Sequence, residues 1–201
     1  MTLTELMEEV YLITARPDLE AETKSAVKRA TLKAHKSDYY DKDLYEQGIQ
    51  FEESSYIQTF DPHAQWNNFR TWKYFKRVTN PEAVNVAEYT THPIDIISVD
   101  ELLDNYQAQR SDIAYIAGRN LEIRASVAFT KALVGIYALP IVTDTGYISW
   151  VAEQYPYVII HEAARAVFAA IGKLEESREQ RILAAEELVE MRSDSLTYVG
   201  S

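Results

Sequence analysis

Between Asp112 and Ser126 the chain reads DIAYIAGRNLEIRAS, and the first structural assignment rests on that stretch. Ile113, Tyr115 and Ala117 alternate into a Gly118-Arg119-Asn120 turn. Leu121, Ile123 and Ala125 alternate out of it, with Glu122 and Arg124 on the other face. Successive side chains of a strand point to opposite faces of its sheet, so period-two alternation on both sides of a glycine-bearing turn predicts a β-hairpin. Downstream, KALVGIY (131–137) is apolar on both faces. It reads as an inner or covered strand, ended by Pro140, which has no N–H to donate. Upstream, from about 50, aromatic and β-branched residues alternate with turn residues, and YIQTF (56–60) and NVAEYTT (85–91) are further strand candidates. Ser98 and Glu101 form a capping box that opens a short helix through VDELLDNY.

The flanks of this β-rich region carry helical periodicity. Thr2 with Glu5 makes a capping box, and Leu3, Leu6, Met7, Val10 and Ile13 follow at helical spacing, predicting a helix over about 3–14. Pro17 suits the first position of a second helix, with Asp18 and Glu20 complementing its dipole. That helix runs to about 36 on a narrow stripe of Leu19, Thr23, Ala26, Val27, Ala30 and Ala34. SDYYDKDLYEQG then changes character, and Gly48 closes the region.

IIHEAARAVF (159–168) opens like the H-E-x-x-H signature, in which two histidines on one helix face bind zinc. The second ligand position is Arg165, whose guanidinium cannot ligate a cation, and His35, His63 and His92 each stand alone. The stretch reads instead as a packing helix. Ile160, Ala163, Ala164, Val167, Phe168 and Ile171 form its apolar stripe, and His161, Glu162 and Arg165 its solvated side. Pro156 starts it, Gly172 stops it, and SWVAEQ before it is a separate short helix capped by Ser149. A last amphipathic helix, LEESREQRILAAEELVEMR, uses Leu174, Ile182, Ala185, Leu188 and Val189.

These elements predict an α+β fold that is predominantly helical. Helices from both chain ends (1–48 and 147–193) pack together around an inserted small antiparallel β-sheet within a β-rich insertion (49–146). An extended C-terminal tail (194–201) completes a single domain of 201 residues.

Composition narrows the function. No stretch approaches the roughly 20 apolar residues of a membrane helix, and MTLTELMEEV lacks the layout of a signal peptide, so a soluble product with no membrane partner is expected. With no cysteine, disulfides and thiolate chemistry are excluded, which fits a reducing cytoplasm. A net charge of −11 opposes free-standing nucleic-acid binding, which depends on neutralising phosphates with Lys and Arg. One local run is opposite in character. FRTWKYFKRV (69–78) interleaves aromatics with Arg70, Lys73, Lys76 and Arg77 around Trp72, the mixture that contacts single-stranded nucleic acid. The competing and favoured reading is a strand whose aromatics pack in a core or against another subunit.

No catalytic constellation emerges. Asp100 and Asp104 sit where a helix dipole favours acids, no G-x-S-x-G elbow presents a serine, and glycine loops for phosphate are absent. No catalytic residue, cofactor or metal site is expected.

The chain resembles the head-to-tail adaptor (connector) proteins of tailed bacteriophages. The resemblance is carried by LTELMEEVYLITARPDLEAETKSAVKRATLKAHKSDYYDKDL, DIAYIAGRNLEIRAS, ALVGIYALP and SWVAEQYPYVIIHEAA in that order, spanning nearly the whole chain, with 50–97 matching least. The resemblance implies a helical core with a β insertion and assembly into a dodecameric ring beneath the portal protein. It also implies a DNA channel continued toward tail tube or nozzle proteins, through which double-stranded DNA passes without sequence-specific binding. The expected location is the neck of the virion, after assembly in the bacterial host cytoplasm. An acidic wall suits passage of a duplex carrying one negative charge per ~1.7 Å. The tail LTYVGS offers Leu196, Tyr198 and Val199 as anchors for a portal surface. Alternatives are another neck or tail-completion protein, or, in a different class, a small metal-dependent hydrolase or nucleic-acid-processing enzyme.

Overall fold

A computed structural model describes residues 1–102 and 109–197. The chain divides into two compact units, one of residues 1–43 with 139–201 and the other of residues 44–138.

The first unit is helical apart from a short antiparallel pair, Ile141–Val142 with Tyr147–Ile148. Helix α1 (Leu3–Thr14) begins at the expected capping box: Thr2 Oγ1 accepts the Glu5 N–H, and the Glu5 carboxylate accepts the Thr2 N–H. It ends at Ala15 in the left-handed region, φ 53°. Helix α2 spans Glu20–Lys36, not from Pro17 as expected. The Asp18 carboxylate is held by Arg16 in a bidentate pair at 2.8 and 2.7 Å, which fixes a turn at the position proposed for the helix start. Helix α4 (Trp150–Gln154) is capped by Ser149. Helix α5 (Pro156–Ala170) has proline at its first position, and Gly172 follows at φ 79°.

Helix α5 is packed against α1, α2 and α6 (Leu174–Thr197). Its Val158, Ile159, Ile160, Ala163, Ala164 and Val167 are buried. The face expected to be solvated is partly covered: His161 Nδ1 lies 2.7 Å from Gln180 of α6, and Glu162 is paired with Arg165 and with Lys33 of α2. Burial alone would raise the Glu162 carboxyl, but hydrogen bonds from Arg165 and Lys33 outweigh it and hold the group below its ordinary value. Helix α6 continues through Thr197, so residues 194–197 are helical where an extended tail was expected; its charged, alanine-containing sequence carries no proline or glycine to stop it earlier.

The second unit overturns the expectation of a helical protein around a small antiparallel sheet. The protein is about 44% helical and 33% strand, with a closed four-strand barrel inside a large sheet. Strand β1 spans Leu44–Phe60. After the short helix α3 (Pro62–Gln65) come β2 (Phe69–Val78), β3 (Thr91–Ile97), β4 (Ile113–Ala117) and β5 (Asn120–Ala138). The hairpin arm and KALVGIY, read as separate strands, are one strand of 19 residues. One edge of β5 pairs with β1 along its length. The other edge is shared, its N-terminal half pairing with β4 (Ile113↔Arg124) and its C-terminal half with β2 (Phe75↔Val134). The barrel closes because β2 pairs with β3 and β3 pairs with β4.

The β3–β4 pairing is parallel (Ile96↔Ala114), so the sheet is mixed. A parallel neighbour needs a crossover of a dozen or more residues, and the chain between Ser98 and Asp112 supplies it. Ser98 and Glu101 form the expected capping box, but on a 3₁₀ turn, Val99–Glu101; the remainder of VDELLDNY, including Asp104, lies outside the described residues. NVAEYTT is chiefly a 3₁₀ turn at Val86–Glu88, with strand resuming at Thr91.

The hairpin turn is tighter than expected. Ala117 pairs with Asn120, leaving Gly118-Arg119 as a two-residue loop with Gly118 at φ 66°. Positive φ at the first loop residue is the type II′ arrangement, whose twist matches the flanking strands. Register shifts in β1 between Gln50 and Ile57 let the long β1–β5 ribbon bend. The barrel core is built on Phe75, Ile94, Leu121, Ile123, Val134 and Ile136.

Candidate functional site

The helical unit assembles a hydrogen-bonded group that no spacing in the sequence announces. His35, in the last turn of α2, has Nδ1 2.7 Å from Asp43 Oδ1 and Nε2 2.9 Å from Ser149 Oγ. A carboxylate only accepts, so Nδ1–H donates to Asp43, and a neutral His35 then accepts the Ser149 hydroxyl proton through Nε2. This is the hydrogen-bond order of a Ser-His-Asp triad. Trp150 Nε1 donates to the same Asp43 oxygen at 2.7 Å, and the Trp150 ring meets His35 edge-on.

The group is closed to substrate. His35, Ser149 and Asp43 are 1%, 4% and 8% exposed. Ser149 Oγ also accepts the Ala152 N–H at 3.2 Å as the cap of α4, and its backbone lies in ordinary extended geometry (φ −154°, ψ 122°). A nucleophile elbow instead presents its hydroxyl outward from a strained turn. The arrangement ties the end of α2, the 3₁₀ turn Asp41–Asp43 and the start of α4 together.

The basic aromatic run forms β2. Trp72 makes ring contacts with Phe60, Trp66, Phe69 and Phe75 at centroid distances of 5.0–6.5 Å, packed against the barrel core. Lys76 lies over the Tyr74 ring at 4.4 Å and Lys73 over Tyr137 at 5.5 Å. Arg77 donates to Asp112 at 3.4 Å. Burial works against the Asp112 charge, but hydrogen bonds from Ser126, with Arg77 and His92 nearby, lower its carboxyl below the usual range. Arg70 is half-buried. The rings that would stack on bases are thus engaged with the barrel, and three of the cations already face a ring or a carboxylate.

Of the tail anchors, Leu196 falls within the backbone range of α6, and Tyr198 and Val199 lie outside the described residues. The helix before them carries an exposed apolar stripe. At 100° per residue, Leu174, Ile182, Ala185 and Val189 fall within an arc of about 80°. Of the five apolar residues that periodicity assigned to this helix, these four point outward, Ile182 being 60% and Val189 65% exposed, while the fifth, Leu188, packs against the core. The inward face is Ser177, Ala184 and Met191, all buried, with Leu188 packed beside them. Helix α6 is apolar on two faces, of which this unit covers one.

Among the described residues no group of three or more His, Asp or Glu could hold a metal ion, and no helix is long and apolar enough to cross a membrane. Neither the models of known protein families nor the curated proteins provide a match to this chain.

Proposed function

We propose that this chain is a head-to-tail adaptor of a tailed bacteriophage, a non-enzymatic structural protein of the virion neck. It assembles into a ring between the portal and the tail and continues the DNA channel. The observation that carries the reading is the outward stripe of α6. Exposed apolar patches rimmed by charge mark interaction surfaces, and this one stands on a chain of net charge −11 in which the Ser149-His35-Asp43 group is sealed. A protein acting through such a face works by binding copies of itself or its neighbours. The acidic balance supports passage of the duplex without grip, because the wall repels phosphate. The resemblance to the adaptor family implies twelve copies.

The test is to purify the full chain, determine its mass in solution, and image it alone and mixed with the portal protein of its phage. Rings, or portal particles extended by a new ring at one end, are expected. A chain that stays single and leaves portal particles unchanged overturns the proposal.

A further inference from the structure

We propose that the outward stripe of α6 docks into a groove between α2 and α5 of the next copy, forming one heterologous contact repeated around the ring. The inference rests on the ring-forming reading above. The groove has a volume of about 320 Å³, with Ala26 and Val167 as its floor and Ala21, Ser25, Ala166 and Ala170 as its walls. None of these side chains is larger than valine, so a second helix can approach closely and seat branched side chains between the backbones.

Length and charge fit together. Ile182 and Val189 are seven residues apart, about 10 Å along the helix axis. Glu22 and Arg29, which also line the groove, have the same separation along α2. Within the docked part of the stripe, Arg181 adjoins Ile182 and Glu186 and Glu190 flank Val189, while Glu175, Glu176 and Glu179 lie farther toward the start of the helix. Laid in the same direction, Arg181 meets Glu22 and Glu186 meets Arg29. Laid in the opposite direction, like charges meet, which fixes the orientation. Glu22, Arg29, Arg181 and Glu186 form no ion pair among the described residues. Stripe and groove lie on different helices, so each copy gives one surface and receives on the other. A heterologous contact of this kind propagates until rotation closes it into a ring, whereas a stripe paired with itself stops at a dimer.

The chain contains no cysteine, so engineered thiols report without background. The full-length double variant Ile182→Cys/Ser25→Cys is oxidised with copper phenanthroline and oxygen, with and without portal protein, and run on a denaturing non-reducing gel. A ladder of covalent multimers is expected from the double variant, with each single variant remaining one chain. Dimers from Ile182→Cys alone overturn the groove as the occupied surface. No ladder in a preparation whose native mass is that of a ring overturns this interface and leaves the adaptor reading standing. No ladder and a single-chain mass in both conditions overturns both. As a second measurement, Arg181→Glu should lower the assembled fraction at least ~10-fold, and Glu22→Arg in the same chain should restore it. Both positions are exposed, so unchanged melting of the single chain checks that folding is intact.

Discussion

Replacing Asp43 by alanine removes the acceptor for two donors at once, the buried His35 Nδ1–H and the half-buried Trp150 Nε1–H, each 2.7 Å away. A buried donor left without a partner costs about 1–3 kcal/mol. The full cost applies to His35 and a part of it to the half-buried Trp150, which sets a range of about 1–5 kcal/mol. The substitution also removes a buried, unpartnered oxygen, Asp43 Oδ2, whose desolvation opposes folding, so the expected loss is held to the middle of that range, about 3 kcal/mol. At about 2–4 °C per kcal/mol for a chain of this length, melting should fall by about 6–12 °C. Asp43→Asn retains an acceptor oxygen and should lose less. Ser149→Ala removes both a helix cap and a partner of His35, about 2 kcal/mol. Thermal and urea unfolding followed by fluorescence reads the result, since Trp150 is the one tryptophan of the helical unit, Trp66 and Trp72 belonging to the barrel unit. A shift below about 2 °C for Asp43→Ala would refute the structural role. So would an esterase activity of the parent protein that Ser149→Ala abolishes, because the serine would then be reaching substrate.

Three further outcomes follow from packing and protonation. Met191→Ala, at a fully buried inward position of α6, should cost about 2–5 kcal/mol; Ile182→Ala on the outward stripe should change single-chain stability by less than about 0.5 kcal/mol, with urea midpoints separating the two. A Cβ on Gly135 would lie 2.5 Å from the Tyr74 ring across the strand pair, so Gly135→Ala should destabilise the barrel by about 1–3 kcal/mol, and Tyr74→Ala in the same chain should recover part of the loss. Burial pushes the Tyr147 phenol up to about 12, outweighing its hydrogen bonds to Thr31 and Ser149. The folded chain then keeps a proton that the unfolded chain loses near pH 10, so this stabilisation is complete below pH 10 and disappears as the pH rises toward 12. Ultraviolet titration of the parent against Tyr147→Phe should place the missing tyrosinate step near the upper end of that window.

The helical ends were legible in the sequence because their signals are local. A capping box at Thr2 and Glu5, a serine cap at Ser149, Pro156 at a first helical position and Gly172 after a last one each act within a turn or two of backbone. The hairpin at Gly118 was legible for the same reason. Strand β1 was legible only at its end, YIQTF: the remainder of LYEQGIQFEESSYIQTF is held along a single partner and leaves many residues exposed, so neither face shows a clean alternation. Barrel closure was equally hidden, since pairing β3 in parallel with β4 and giving one edge of β5 to two different strands are decisions between distant segments. Periodicity found the apolar stripe of α6 but could not say which side the core occupies, and with two apolar faces on one helix only the packing of α5 decides. His35, Asp43 and Ser149 show the limit most sharply. Eight and 114 residues separate the histidine from its partners, and hydrogen bonds of under 3 Å across such gaps exist only once the chain has folded around them.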